Sequence, residues 1–158
     1  MTAKLSVYYL SLHTVSGRGA TVQTREKGNI TEAKILAALV DAGYLVSVPF
    51  GSGHKYDFII DDLTNRYRVQ CKTGRIRNGC LAFNSYSQSG NGSVRQSYYG
   101  LADLFAVLNP QTGEVYLVPV AEFGSTGVNL RLIPTLNGQA QKIHWAVDYL
   151  LTSLYRAS

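Results

Sequence analysis

The stretch Arg66-Tyr67-Arg68-Val69-Gln70-Cys71-Lys72-Thr73 decides the reading of this chain. Side chains alternate faces along a strand. Arg66, Arg68, Gln70 and Lys72 therefore share one face, and Tyr67, Val69, Cys71 and Thr73 share the other. One face is polar with three cations; the other is mostly apolar. An edge strand with a wet face would show the same pattern. The neighbouring runs Asp57-Phe58-Ile59-Ile60 and Leu104-Phe105-Ala106-Val107 look buried, however, so the strand is expected inside a sheet. Gln70 and Lys72 are then polar groups lining a pocket, where burial is costly unless they are paired or used.

Working outward, Tyr56 to Ile60 reads as the preceding strand and brings Asp57 to its start. If the two strands are neighbours, Asp57 and Gln70 converge at one sheet end with Lys72 beside them. Glu26 to Ala42 is helical, with Ile30, Ala33, Ile35 (or Ala37), Leu36, Leu39 and Val40 recurring at threes and fours. Thr31 is expected to cap the main run and Gly43 to end it in a left-handed conformation. Glu32 is the only acid in the helix mid-section. Tyr44 to Val48 is a short strand stopped by Pro49. Residues 75 to 97, rich in Gly, Ser and Asn, are expected as a loop or exposed hairpin. Leu101 to Leu108 and Val115 to Val120 are strand-like runs joined by the turn Asn109-Pro110-Gln111-Thr112-Gly113. Val128 to Ile133 reads as another strand and Ile143 to Leu154 as a closing helix. The order implies a single α/β or α+β domain over residues 25 to 158. Residues 1 to 24 read as an extension or leader outside it. Leu5 to Leu12 is a candidate strand there, too short and Ser-interrupted for a secretory signal.

Composition narrows the class. The chain has 158 residues, 46% hydrophobic and 16% charged, which suits a globular domain rather than a disordered one. No apolar run approaches the roughly 18 residues that a spanning helix needs. Cys71 and Cys80 form neither a CxxC pair nor a disulfide framework, so a cytoplasmic protein with reduced thiols is expected. A net charge of +5 points to a polyanionic partner. Its placement says more: between Leu63 and Ala102 there is no Asp or Glu, against Arg66, Arg68, Lys72, Arg75, Arg77 and Arg95. Asn84, Gln88 and Gln96 add hydrogen-bonding amides among them, a mixture suited to phosphates and base edges.

Each residue also has a plainer role. Asp57 alone would be a strand-start turn residue, Lys72 a solvent-facing lysine and Glu32 a solvated helix acid. His13, His54 and His144 have no partner at ligand or triad spacing. Tyr98-Tyr99 beside Arg95 is a candidate base-stacking pair. Gly51-Ser52-Gly53-His54-Lys55 lacks the spacing of a nucleotide phosphate loop. A carboxylate and an amide oxygen at one sheet end can hold a hard divalent cation such as magnesium.

Glu32, Asp57 and Gln70-Cys71-Lys72, in that order, resemble the signature of the PD-(D/E)xK nuclease superfamily. The longer string is similar to its subgroup of bacterial group I intron homing endonucleases. It comprises Lys27-Gly28, Thr31-Glu32-Ala33, Gly43-Tyr44, Val48-Pro49-Phe50-Gly51, Tyr56-Asp57 and Tyr67 to Gly74. The resemblance implies an α/β restriction-endonuclease-like core, a mixed central sheet flanked by helices. It implies a magnesium-dependent endonuclease on duplex DNA, with manganese as a substitute metal, working as a dimer or tetramer. By the same resemblance Asp57, Gln70, Glu32 and the Cys71 carbonyl face the metal, and Lys72 is the catalytic cation. Lys27, Arg75, Arg77, Asn84, Gln88, Arg95 and Gln96 are expected on DNA. Two departures stand out: Tyr56 replaces the proline before Asp57, and Gln70 replaces an acid, removing one negative charge from the metal site. Rival readings are a Holliday junction resolvase, a restriction-type endonuclease and a non-cleaving DNA-binding module.

Overall fold

The computed structural model describes residues 24–51, 53–88, 94–124, 126–134, 143–152 and 154. The candidate strand at Leu5 to Leu12 lies outside them.

Helix α1 (Thr24–Asp41) ends in the expected way. Gly43 has φ +94°, its N–H donates to the Val40 carbonyl, and the Tyr44 N–H reaches back to Leu39, both at 3.0 Å. These paired bonds satisfy the last carbonyls of the helix. The face it buries differs from expectation. Thr31, Ile35, Leu39 and Ala42 are buried, whereas Ile30 and Val40 are about half exposed and Ala33 and Ala37 face solvent. The run is apolar on nearly every side after Lys34, so spacing alone did not select the stripe. Thr31 is also no cap. It lies inside α1, and its hydroxyl shares a 2.6 Å hydrogen bond with the Thr73 hydroxyl.

The strands are β1 (Leu45–Ser47), β2 (Phe58–Asp61), β3 (Arg66–Thr73), β4 (Arg75–Arg77), β5 (Cys80–Asn84), β6 (Tyr86–Gln88), β7 (Arg95–Ser97), β8 (Leu104–Leu108), β9 (Val115–Pro119) and β10 (Gly127–Arg131). Five of them form a mixed sheet in the order β1-β2-β3-β8-β9. β3 is interior, antiparallel to β2 with Phe58 opposite Val69 and parallel to β8 with Gln70 opposite Phe105. Its two faces serve two cores. Val69 and Cys71 pack with Ile35 and Leu39 of α1, together with Phe58, Ile60 and Ala106. On the far side Phe105, Val107 and Val118 pack against Leu81, Phe83, Val128 and Leu130 of a second, three-stranded sheet ordered β10-β5-β4. Each fully buried aliphatic side chain contributes roughly 1.5–3 kcal/mol to such a core. The expected flanking helices are thus one helix on one face and a sheet on the other, among the described residues.

The second sheet corrects the reading of residues 75 to 97. Cys80, Leu81 and Phe83 are buried, so β5 is a core strand and only β6 and β7 form a separate two-stranded ribbon. Gly74 makes the transfer between sheets. A Cβ there would collide with the Leu81 side chain of β5 and sit 3.1 Å from the Leu108 carbonyl oxygen of β8, so the close passage between the two favours glycine. The closing helix is absent as well. Ala146–Tyr149 forms one 3₁₀ turn, and the chain around it bridges two strand edges, Arg131 with Trp145 and Tyr116 with Leu150. Those backbone groups are used across the sheets and are not free to close helical turns.

Candidate active site

Asp57 stands one residue before β2, its N–H donating to the Val69 carbonyl at 2.8 Å. Its Oδ2 accepts two hydrogen bonds, from Gln70 Nε2 at 2.6 Å and from the Cys71 backbone N–H at 2.7 Å. Gln70 Nε2 is also 3.4 Å from the Cys71 carbonyl oxygen. The sheet register brings the acid, the amide and that carbonyl to one point. Burial pushes the Asp57 carboxyl above its ordinary range, against the opposing pull of the Cys71 N–H, Lys72 and Gln70.

Lys72, on the same strand face as Gln70, is half-buried. Desolvation lowers its pKa to about 8, with Asp57 working the other way, so it remains an ammonium at neutral pH. Its Nζ donates to the Tyr98 hydroxyl at 3.2 Å. Burial drives the Cys71 thiol far above its usual value, so Cys71 offers its backbone and not a thiolate. Both cysteines are buried and free.

Glu32 reaches the site from the other side of the sheet. The bond between Thr31 and Thr73 ties α1 to the end of β3 and turns the next residue to the cleft in front of Asp57. That cleft, of about 250 Å³, is lined by Glu32, Val48, Pro49, Gly51, Gly53, His54, Tyr56 and Asp57. Partial burial, and then the charge of Asp57, raises the Glu32 carboxyl. Two acids that each resist ionisation are a place where a cation is favourable. The His54 ring donates through Nε2 to the Phe50 carbonyl at 2.8 Å, which closes the loop under the cleft.

The donor chemistry suits a hard cation. The described residues contain no cluster of three or more His, Cys, Asp or Glu side chains. Two carboxylates and a backbone carbonyl nevertheless supply oxygen donors of the kind that magnesium accepts alongside waters, while the Gln70 amide turns its nitrogen toward Asp57 and the Cys71 carbonyl.

Six of the candidate DNA-contacting residues line two concavities. Arg75, Arg77 and Asn84 line a concavity of about 480 Å³ on the second sheet with Asn129. Gln88, Arg95 and Gln96 line another, of about 440 Å³, with Lys55 and Ser87 on the ribbon. Arg95 stacks 4.6 Å from the Tyr86 ring centroid. Lys27 is exposed on α1 and lines neither. The one-sided field is also narrower than the acid-free stretch suggested. Arg66 pairs with Asp61 at 2.9 Å, and Arg68 with Asp103 at 2.8 Å. Both acids lie outside the stretch, where a local count of charge does not reach.

Two corrections concern aromatic and basic residues. Tyr98 is only 7% exposed and Tyr99 is 73% exposed, so they are not a stacking pair. Tyr98 belongs to the site through Lys72, a contact between distant chain segments that no local pattern signals. Lys55 was not singled out, although its position two residues before Asp57 in a basic loop was a usable signal.

The match to known proteins agrees with this geometry. The sequence profile described as PD-(D/E)XK endonuclease matches residues 22–152. Among solved structures, a bacterial homing endonuclease, I-Ssp6803I, superposes with a TM-score of 0.64 at 20% identity, over 81% of this chain and 88% of that one. The curated proteins give no match. No described helix is long and apolar enough to cross a membrane. With a profile match over most of its length and the family's sheet around Asp57, Gln70 and Lys72, the chain belongs to the PD-(D/E)XK endonuclease family.

Proposed function

We propose that this endonuclease makes rare, site-specific double-strand breaks in DNA with magnesium, in the manner of a homing enzyme. The observation that carries the reading is the convergence on Asp57 Oδ2 of the Gln70 amide and the Cys71 N–H, with Lys72 on the same strand face. Asp57 and the Cys71 carbonyl would hold the metal, joined by the Gln70 oxygen once that amide turns over from its bond to Asp57, with Glu32 as the helix acid. Bound magnesium supplies a counter-charge for the phosphate and a water of lowered pKa. Asp57 is fixed by its two hydrogen bonds. Lys72 offsets the charge that develops on the phosphate oxygens as the bond breaks.

Two strands of duplex require two such sites, so we propose a dimer or tetramer acting symmetrically. Residues 25 to 158 would form the catalytic domain, with 1 to 24 as an extension. Two buried free thiols suit the reducing cytoplasm.

The test is incubation of the full chain with genomic DNA and magnesium, followed by mapping of the ends. Few, discrete double-strand breaks support the reading. Cutting confined to four-way junctions would make it a resolvase, and frequent short sites a restriction-type enzyme. Binding without cutting would mark Gln70 as the sign of a decayed centre.

The basic surfaces make a separate prediction. Arg75→Ala and Arg77→Ala should each weaken binding to DNA of any sequence and reduce the salt slope of log K by about one. Titration of a labelled duplex over a range of salt concentrations reads both. Unchanged slopes would move the DNA path to the ribbon alone.

A further inference from the structure

The β6–β7 ribbon belongs to neither packed sheet, yet it touches the site at two points. Gln96 of β7 accepts a hydrogen bond from Lys55 Nζ at 3.1 Å, two residues before Asp57. At the foot of the ribbon, immediately after β7, Tyr98 turns into the core and packs edge-on against Phe105, with centroids 5.6 Å apart and an interplanar angle of 89°. Lys72 Nζ lies 4.3 Å from the Tyr98 ring centroid and 5.9 Å from that of Phe105, and donates to the Tyr98 hydroxyl at 3.2 Å. The Ser87 side chain of β6 acts on that phenol, working to lower its pKa against the burial that raises it. Ser87 is paired with Gln96 across the ribbon.

We infer that Tyr98 is a positioning residue for Lys72, and that its place directly after β7 makes the placement of that ammonium depend on how the ribbon is seated. The inference rests on the reading of Lys72 as the catalytic cation. A lysine side chain has a flexible four-carbon stem and a point charge that fixes no direction of its own. Here the direction comes from outside. The ring face attracts the cation, Phe105 fixes the ring, and the hydroxyl supplies an acceptor on the line from the stem. Burial weakens the hold of water on Lys72, so the phenol is a partner with little competition. The ribbon also carries exposed Arg95, Gln88 and Gln96. DNA held there would fix the ribbon, and with it Tyr98 at its foot, the acceptor for Lys72.

Tyr98→Phe keeps the ring, its packing on Phe105 and its face toward Lys72, and removes only the hydroxyl. Ser87→Ala removes the β6 side chain that acts on that hydroxyl. Single-turnover cleavage at saturating DNA should fall about tenfold or more in Tyr98→Phe, with DNA Kd within about twofold and Tm unchanged. Ser87→Ala should show a smaller fall. The double variant should be no slower than Tyr98→Phe, because both edits act on the same hydroxyl. Parental rates in Tyr98→Phe, or a lowered Tm with no loss of rate, would overturn the inference. If Tyr98→Phe does not fold, Ser87→Ala alone decides, and a parental rate there overturns it.

Lys72→Met separates this failure from failure of the underlying reading. If Lys72→Met cuts like the parent, Lys72 is not the catalytic cation and the inference falls with that role. A readout independent of cutting is the ammonium ¹⁵N resonance of Lys72. A slowly exchanging, hydrogen-bonded signal in the parent that sharpens its exchange with water in Tyr98→Phe supports the positioning; a signal identical in both proteins overturns it.

Discussion

Asp57→Asn should lose cleavage by about a thousandfold or more while the protein keeps or slightly raises its Tm. The two halves of this expectation have separate causes. The asparagine carbonyl has the same shape as the carboxylate oxygen that accepts from Gln70 Nε2 and the Cys71 N–H at 2.6 and 2.7 Å, so both bonds survive. What disappears is a negative charge that burial already disfavours, since the Asp57 carboxyl is held above its ordinary range by desolvation. Neutralising a charge with that cost does not weaken the fold. Catalysis depends on the same charge. Without it the site loses its best metal ligand, and with it the several kcal/mol that a bound metal contributes to the transition state, about 4 kcal/mol for a thousandfold. Lys72→Met should give a similar loss of rate with DNA Kd nearly unchanged. The checks are thermal melting without metal, equilibrium binding of a duplex, and single-turnover cleavage with magnesium. If Asp57→Asn cuts at the parental rate, the acid at the sheet end is structural only.

The parts of this arrangement differ in how far the sequence exposed them. β3 was legible to the residue because polar and apolar side chains alternate from Arg66 to Lys72 and both faces of an interior strand are constrained. Asp57 followed from it, since antiparallel pairing with β2 leaves one place for the residue before Phe58. The Gly43 cap needed only a local conformation that glycine favours. The failures all involve tertiary context. Cys80-Leu81-Ala82-Phe83 is an apolar run enclosed by Asn, Gly and Ser, and only the second sheet makes it core. Thr31 was read by its local capping habit, whereas Thr73, 42 positions away, claims its hydroxyl. The segment after Ile143 has the composition of a helix, but the free edges of β9 and β10 compete for its backbone. Tyr98 looked like a surface aromatic because nothing near it in sequence reveals Phe105 or Lys72.

Gln70→Glu should act in opposite directions with and without metal, which makes it the sharpest test of what the amide does. In the metal-free protein the substitution replaces a donor 2.6 Å from Asp57 Oδ2 with a second carboxylate oxygen, beside an acid that shares its cleft with Glu32. Stability at neutral pH should fall by about 1 to 3 kcal/mol, the cost of an unsatisfied polar group beside a like charge. The loss has a defined pH sign. Beside Asp57 the new carboxyl titrates above its unfolded value, so the protonated form keeps the hydrogen bond. The deficit should be small at the acid end of the carboxylate range and grow as pH rises through the folded-state pKa. Magnesium should reverse the order of the two proteins. An added formal charge in an all-oxygen site strengthens its hold on a divalent cation, and about tenfold in metal affinity corresponds to about 1.4 kcal/mol. The variant should therefore gain more Tm per increment of magnesium than the parent, and its half-saturating magnesium for cleavage should drop about tenfold. Calcium, which binds oxygen sites without supporting the same chemistry in most hydrolytic centres, would report the stability arm alone. Equal melting of parent and variant at every magnesium concentration would remove Gln70 from the metal and leave its amide as a brace for Asp57.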